Sequence, residues 1–88
     1  MAVMPYVEPT DRARLDAGGP AESAGELNYL ISRLIDAYLA RADGVRYARL
    51  NEAVGALECA KLELYRRIAA PYEDAKRAQN GDVYTVER

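Results

Sequence analysis

A chain of 88 residues makes one domain and buries too little of its surface to be more than marginally stable alone, so a larger core must come from partners. Half of its residues are apolar and 30% are charged, too hydrophobic for a disordered chain and ordinary for a folded one. Twelve basic against fourteen acidic residues leave a net charge of -2 spread along the chain. That excludes a global field for nucleic acid or anionic membrane, and the lack of histidine excludes Ser-His and Cys-His nucleophile systems and histidine metal sites.

Residues 1–22 read as an N-terminal arm and linker, because they hold three of the four prolines and the run Gly18-Gly19-Pro20, which break any periodic pattern. One short helix fits there, capped by Thr10 and reaching Leu15, with Pro9 before it and Gly18 after it. Residues 23–80 read as a helical hairpin domain with a short C-terminal helix. It opens at Ser23-Ala24-Gly25-Glu26, a capping box in which the serine hydroxyl takes the Glu26 amide and the glutamate reaches back to the serine amide. Leu27, Leu30, Ile31, Leu34, Ile35, Tyr38 and Leu39 then recur at spacings of three and four, one stripe of a helix. The pattern stops near Arg41, and Gly44 suits a left-handed terminator, which predicts a helix of about 19 residues and nearly 30 Å.

After a short connection, Leu50, Val54, Leu57, Leu64 and Ile68, with Tyr47 one step earlier and Ala53 and Ala60 alongside, mark a second long helix. The short connection makes the two helices antiparallel neighbours, and the alternation of four and three in the second run resembles a coiled-coil seam. Pro71 predicts an end or a kink near Ala69-Ala70. A shorter helix follows, with Glu73 and Asp74 at its N-terminal end, Lys76 and Arg77 at its C-terminal end, and Asn80-Gly81 closing it. Residues 81–88 form a tail, in which Val83-Tyr84-Thr85-Val86 reads as irregular chain or an edge strand. The expected class is all-α: an antiparallel two-long-helix hairpin with short flanking helices, assembling as a helical bundle oligomer.

Chemistry is concentrated at one anomaly, Lys61, which stands between Leu57 and Leu64 where an aliphatic residue belongs. At roughly 100° per residue, Asn51, Glu58 and Tyr65 lie within about 80° of it, and Tyr47 shares their line. In one reading Lys61 lays its methylenes on the apolar edge, pairs with Glu58 and fixes register between helices; if that pair were buried, removing Glu58 would cost roughly 3 to 5 kcal/mol. In the other, Tyr47, Asn51, Glu58, Lys61 and Tyr65 line a pocket for a phosphate or carboxylate. Arg66 and Arg67 with Lys76 and Arg77 make a candidate basic corner beside Tyr72 if the chain turns back at Pro71, against the plainer expectation of solvated pairing with Glu63, Glu73 and Asp74.

Seven tyrosines without Phe or Trp favour a wet interface over a dry core. The carboxylate pairs Glu58 with Glu63 and Glu73 with Asp74 share no face with further ligands. Cys59, the single cysteine, has no intramolecular disulfide partner, favours a reducing compartment and reads as a surface residue. No P-loop or dinucleotide-type glycine turn is present. No enzyme activity, cofactor or metal is expected. Without an apolar run near the roughly 20 residues of a membrane span or a signal-peptide core at Met1, the expected location is the cytoplasm and no membrane partner is expected.

Met4-Pro5-Tyr6, Gly25-Glu26-Leu27-Asn28-Tyr29-Leu30-Ile31, Leu57 through Arg67, Ala70-Pro71-Tyr72-Glu73 and Asn80-Gly81-Asp82-Val83-Tyr84 together resemble an uncharacterised family of small phage and bacterial proteins. The resemblance covers most of the chain, implies no activity or site, and suggests Met4 as the older start. It implies a phage accessory or counter-defence role. The expected function is a small non-enzymatic binding or regulatory protein that acts as a homo-oligomer and meets a host protein. The alternative is a binder or sponge for a nucleotide-type anion that uses Lys61 and the tyrosines.

Overall fold

The computed structural model describes residues 7–41 and 44–86. Among these, all regular structure is helical: α1 Pro9–Asp16, α2 Ala24–Leu39, α3 Tyr47–Leu64, a π-turn Tyr65–Ala69, and α4 Ala70–Asn80. The all-α class holds. The segment Val83 to Val86 is irregular and not an edge strand. Two compact units divide the chain, Met1–Leu50 and Asn51–Arg88, and their boundary falls inside α3.

In the first unit, α1 begins one residue before the expected cap. Pro9 occupies the helix start and Glu8 is the flanking residue, in extended conformation and without a side-chain capping bond, because proline's fixed φ and missing N–H suit the first helical position. Thr10 therefore lies inside the helix. The other end is a Schellman motif: Gly18 N donates to Leu15 O and Gly19 N to Arg14 O, each at 3.0 Å, with Gly18 at φ +105°. A Cβ on Gly19 would lie 2.9 Å from the Arg14 carbonyl oxygen, so the close return of the chain over α1 requires glycine there. Leu15 in the last turn of α1 is 3% exposed, and Val7 just before the helix is buried as well. Two of the three buried apolar side chains among the described residues thus lie in the segment that reads as an arm, the third being Ala53.

Ser23 caps α2, its Oγ accepting the Glu26 N–H at 3.1 Å. The return arm of the box differs from expectation: Glu26 Oε1 accepts from Glu22 N at 2.9 Å rather than from Ser23. The same oxygen is 2.6 Å from the Arg14 guanidinium, which draws the carboxylate toward the preceding chain. α2 ends at Leu39, the last residue of its apolar stripe, and is 16 residues long, shorter than expected. Gly44, at φ +82°, closes a separate turn in which its N–H meets Arg41 O at 2.8 Å.

In the second unit, Pro71 does not end the helix. Leu64, Ala69 and Ala70 all keep right-handed helical angles. A proline ring in a straight α-helix collides with the carbonyl four residues back, and the chain relieves this by widening. Ala70 N–H reaches Tyr65 O, five residues back, the bond of a π-turn. Of the expected end or kink, the end is not found: the irregularity at Pro71 is a bulge inside a continuous helical path. α4 then runs to Asn80, and Gly81, at φ +89°, closes it with its N–H on Arg77 O. Ala53 is the buried residue of this unit among those described.

Candidate functional site

Lys61 Nζ is 3.1 Å from Glu58 Oε2, a pair three residues apart on α3 with side chains 68% and 55% exposed. Such a pair is solvated, and its removal belongs to the range of a few tenths of a kcal/mol, not to the cost of stranding a buried charge. Tyr47 and Asn51 are exposed farther back on α3. Tyr65 turns to a different partner: its hydroxyl donates to Glu73 Oε1 at 3.2 Å, eight residues on. On a straight helix, residues eight apart miss each other by roughly 80°, and the extra residue in the π-turn takes back most of that angle. Glu73 holds the Tyr65 phenol above its ordinary pKa, first by accepting its proton in a hydrogen bond and then by its charge. Of the five residues on the predicted edge, the structure joins Lys61 with Glu58 and carries Tyr65 to α4.

Each cation of the predicted basic corner has a partner on its own stretch of helix. Arg66 and Arg67 both approach Glu63, at 3.6 and 3.4 Å. Arg77 meets Asp74 at 3.4 Å, and Lys76 lies over the Tyr72 ring, 5.6 Å from its centroid. A concavity of about 510 Å³ does form between α4 and the chain after it, lined by Tyr65, Glu73, Lys76, Arg77, Asn80 and Tyr84 among others. Asp82 is part of the same lining, its carboxylate accepting the Tyr84 N–H at 3.0 Å in an Asx turn of the kind aspartate favours. Lys76 and Arg77 share this lining with Glu73, Asp74 and Asp82, so the signs alternate and the site does not select an anion. Reading by helix periodicity missed this concavity, although Asn80-Gly81-Asp82 carried the turn signal for it.

Periodicity also missed a polar seam in the first unit. Tyr29 OH donates to Asp16 Oδ1 at 2.9 Å, and Arg33 Nε lies 3.8 Å from the same oxygen. Beside it, Arg14 bridges Glu26 and donates to Pro20 O at 2.9 Å. The Arg14 hydrogen bond holds the Glu26 carboxyl below its ordinary pKa, and the Arg14 guanidinium is held still more firmly protonated. Desolvation first, then the bond to Asp16, push the Tyr29 phenol up. The Arg49 guanidinium lies 5.9 Å from the centre of the Tyr38 ring. These groups brace helices against each other and offer no open acid-base pair.

Cys59 is exposed, and no described helix is long and apolar enough to cross a membrane. No curated protein and no solved structure matches the chain. The family model of a domain of unknown function, DUF6899, matches residues 4–83, and this chain belongs to that family.

Proposed function

We propose that the chain is a non-enzymatic helical interaction protein that acts as a homo-oligomer, its apolar helix stripes meeting in a bundle. The observation that carries this reading is the exposure of those stripes. Leu34 on α2 is 72% exposed, and Val54 and Leu64 on α3 are 66% and 61% exposed, positions that helical periodicity assigns to a covered face.

Antiparallel pairing of α2 with α3 is part of this proposal, supported by the short connection between them. The exposed tyrosines Tyr47, Tyr72 and Tyr84 support a second use of the surface, since a ring with a polar tip suits a wet contact. There a host protein would dock, the role implied by the resemblance to phage proteins. The anion-binding alternative has weaker support, because Glu58 already neutralises Lys61.

Sedimentation velocity across the micromolar range tests the proposal. The expected mass is a multiple of 9.7 kDa, returning to the monomer when Leu34→Glu and Val54→Glu place charges on both stripes. A wild-type monomer mass at every concentration overturns it.

A further inference from the structure

Building on that self-association, we propose that the occupant of the α3 seam is a second copy of this chain, with the two seams parallel and in register and Lys61 holding the pairing to two strands. The seam runs Leu50, Val54, Leu57, Lys61, Leu64, Ile68, in steps of four, three, four, three and four. This is a seven-residue repeat with two core positions. One of them, d in coiled-coil notation, is leucine three times: Leu50, Leu57 and Leu64. The other, a, holds Val54 and Lys61 on α3, and Ile68 continues the sequence pattern into the π-turn. β-Branched residues at a with leucine at d favour two parallel strands, whereas leucine at a with isoleucine at d shifts the preference to larger assemblies.

All five apolar members of this seam are exposed, as is the Lys61 side chain. The α-helical seam is about 21 Å long from Leu50 to Leu64, at 1.5 Å per residue. Ile68 lies within the π-turn, whose extra residue per turn sets it near the line of Leu64 rather than at the next a position.

Lys61 supplies the specificity. A single lysine at an a position costs stability and fixes register and strand number. In register, the two Lys61 side chains share one layer, each with Glu58 of its own helix at hand. A stagger of one heptad would set each of them against aliphatic residues and make two polar layers where there was one. A third strand would enclose the ammonium groups further from water, at a desolvation cost that the solvated Glu58 pair does not offset.

The test uses the full chain with Cys59→Ser as background and Leu50→Cys added, under mild oxidation, with mass read by sedimentation and the cross-link by non-reducing electrophoresis. Parallel pairing sets the two residue-50 positions face to face, so a dimeric background and a covalent dimer in Leu50→Cys are the expected results. Antiparallel pairing separates these positions by most of the seam. A dimeric background without the cross-link therefore overturns the parallel seam while leaving self-association intact. A background mass above the dimer overturns the two-strand assignment, and a monomer throughout overturns both readings. Lys61→Ile gives a second measurement should Leu50→Cys fail to fold. It completes the aliphatic seam, so the association constant should rise by at least roughly tenfold, with species above the dimer appearing; an unchanged constant and mass overturn the role of Lys61.

Discussion

Leu15→Ala tests where the intrinsic stability of this chain resides. Leu15 is 3% exposed in the last turn of α1, and truncating a buried leucine costs about 2 to 5 kcal/mol through lost transfer energy and the cavity left behind. At roughly 4–8 °C per kcal/mol for a chain of this size, the midpoint of thermal unfolding should fall by at least roughly 8 °C. The comparison is Leu34→Ala on α2, where the side chain is 72% exposed and its truncation in an isolated chain should stay within about 0.5 kcal/mol. Melting followed by circular dichroism at several concentrations separates the two. The Leu15→Ala loss should be the same at every concentration, whereas any loss in Leu34→Ala should appear only where the oligomer forms. A Leu15→Ala midpoint within about 4 °C of wild type, less than 1 kcal/mol on that scale, refutes the assignment of the core to α1.

Ser23→Ala removes the side-chain acceptor of the Glu26 N–H and should cost about 1 kcal/mol of stability, read as a lower urea midpoint with an unchanged slope. Glu58→Ala should change stability by no more than about 0.5 kcal/mol, because its pair with Lys61 is solvated; a loss several times larger in urea denaturation would show the pair buried by a neighbour. The Glu26 carboxyl has a folded-state pKa below its ordinary value. The stability it contributes is therefore complete above the unfolded-state pKa, near 4.3 for glutamate, and is lost as pH falls through the lower folded-state value. In Glu26→Gln the part of the acid destabilisation due to this group should vanish, and an acid limb identical to wild type in a pH series of urea melts would refute the linkage.

Much of the local structure was legible because it is governed by residues close in sequence. The serine cap of α2 and the glycine-closed ends of α1 and α4 follow from which side chains can satisfy terminal N–H and C=O groups. The Glu26 return bond was misread because it depends on Arg14, twelve residues earlier, whose guanidinium lies on the same carboxylate oxygen. The Asp16, Tyr29 and Arg33 seam was invisible for a similar reason: periodicity reports which face of a helix is apolar, not which polar groups meet another helix. Pro71 was recognised as an irritant, but sequence rules offer both a break and a bulge, and the choice of the bulge moved Tyr65 from the Lys61 edge to Glu73. Lys61 and Glu58, three residues apart on a regular helix, meet as the spacing implies, and Tyr65 departs from them where the helix changes its pitch.

The two units are stabilised by different means, and this bears on how the chain can be regulated. In the first, Leu15 and Val7 are buried and the links from Arg14 to Glu26 and from Tyr29 to Asp16 tie α1 to α2. These contacts are made within one chain, so their strength does not depend on concentration. In the second, Ala53 is the buried residue among those described, while Val54, Leu57 and Leu64 remain exposed along one line of α3 and Ile68 is exposed in the π-turn after it. Apolar surface of that kind contributes only when something covers it. In the proposed dimer, self-association would therefore act chiefly on α3, and any protein that matched the same line better would compete with the second copy rather than add to it. The exposed tyrosines Tyr72 and Tyr84 lie beyond that line, on α4 and the chain that follows, outside the surface that the proposed dimer would close.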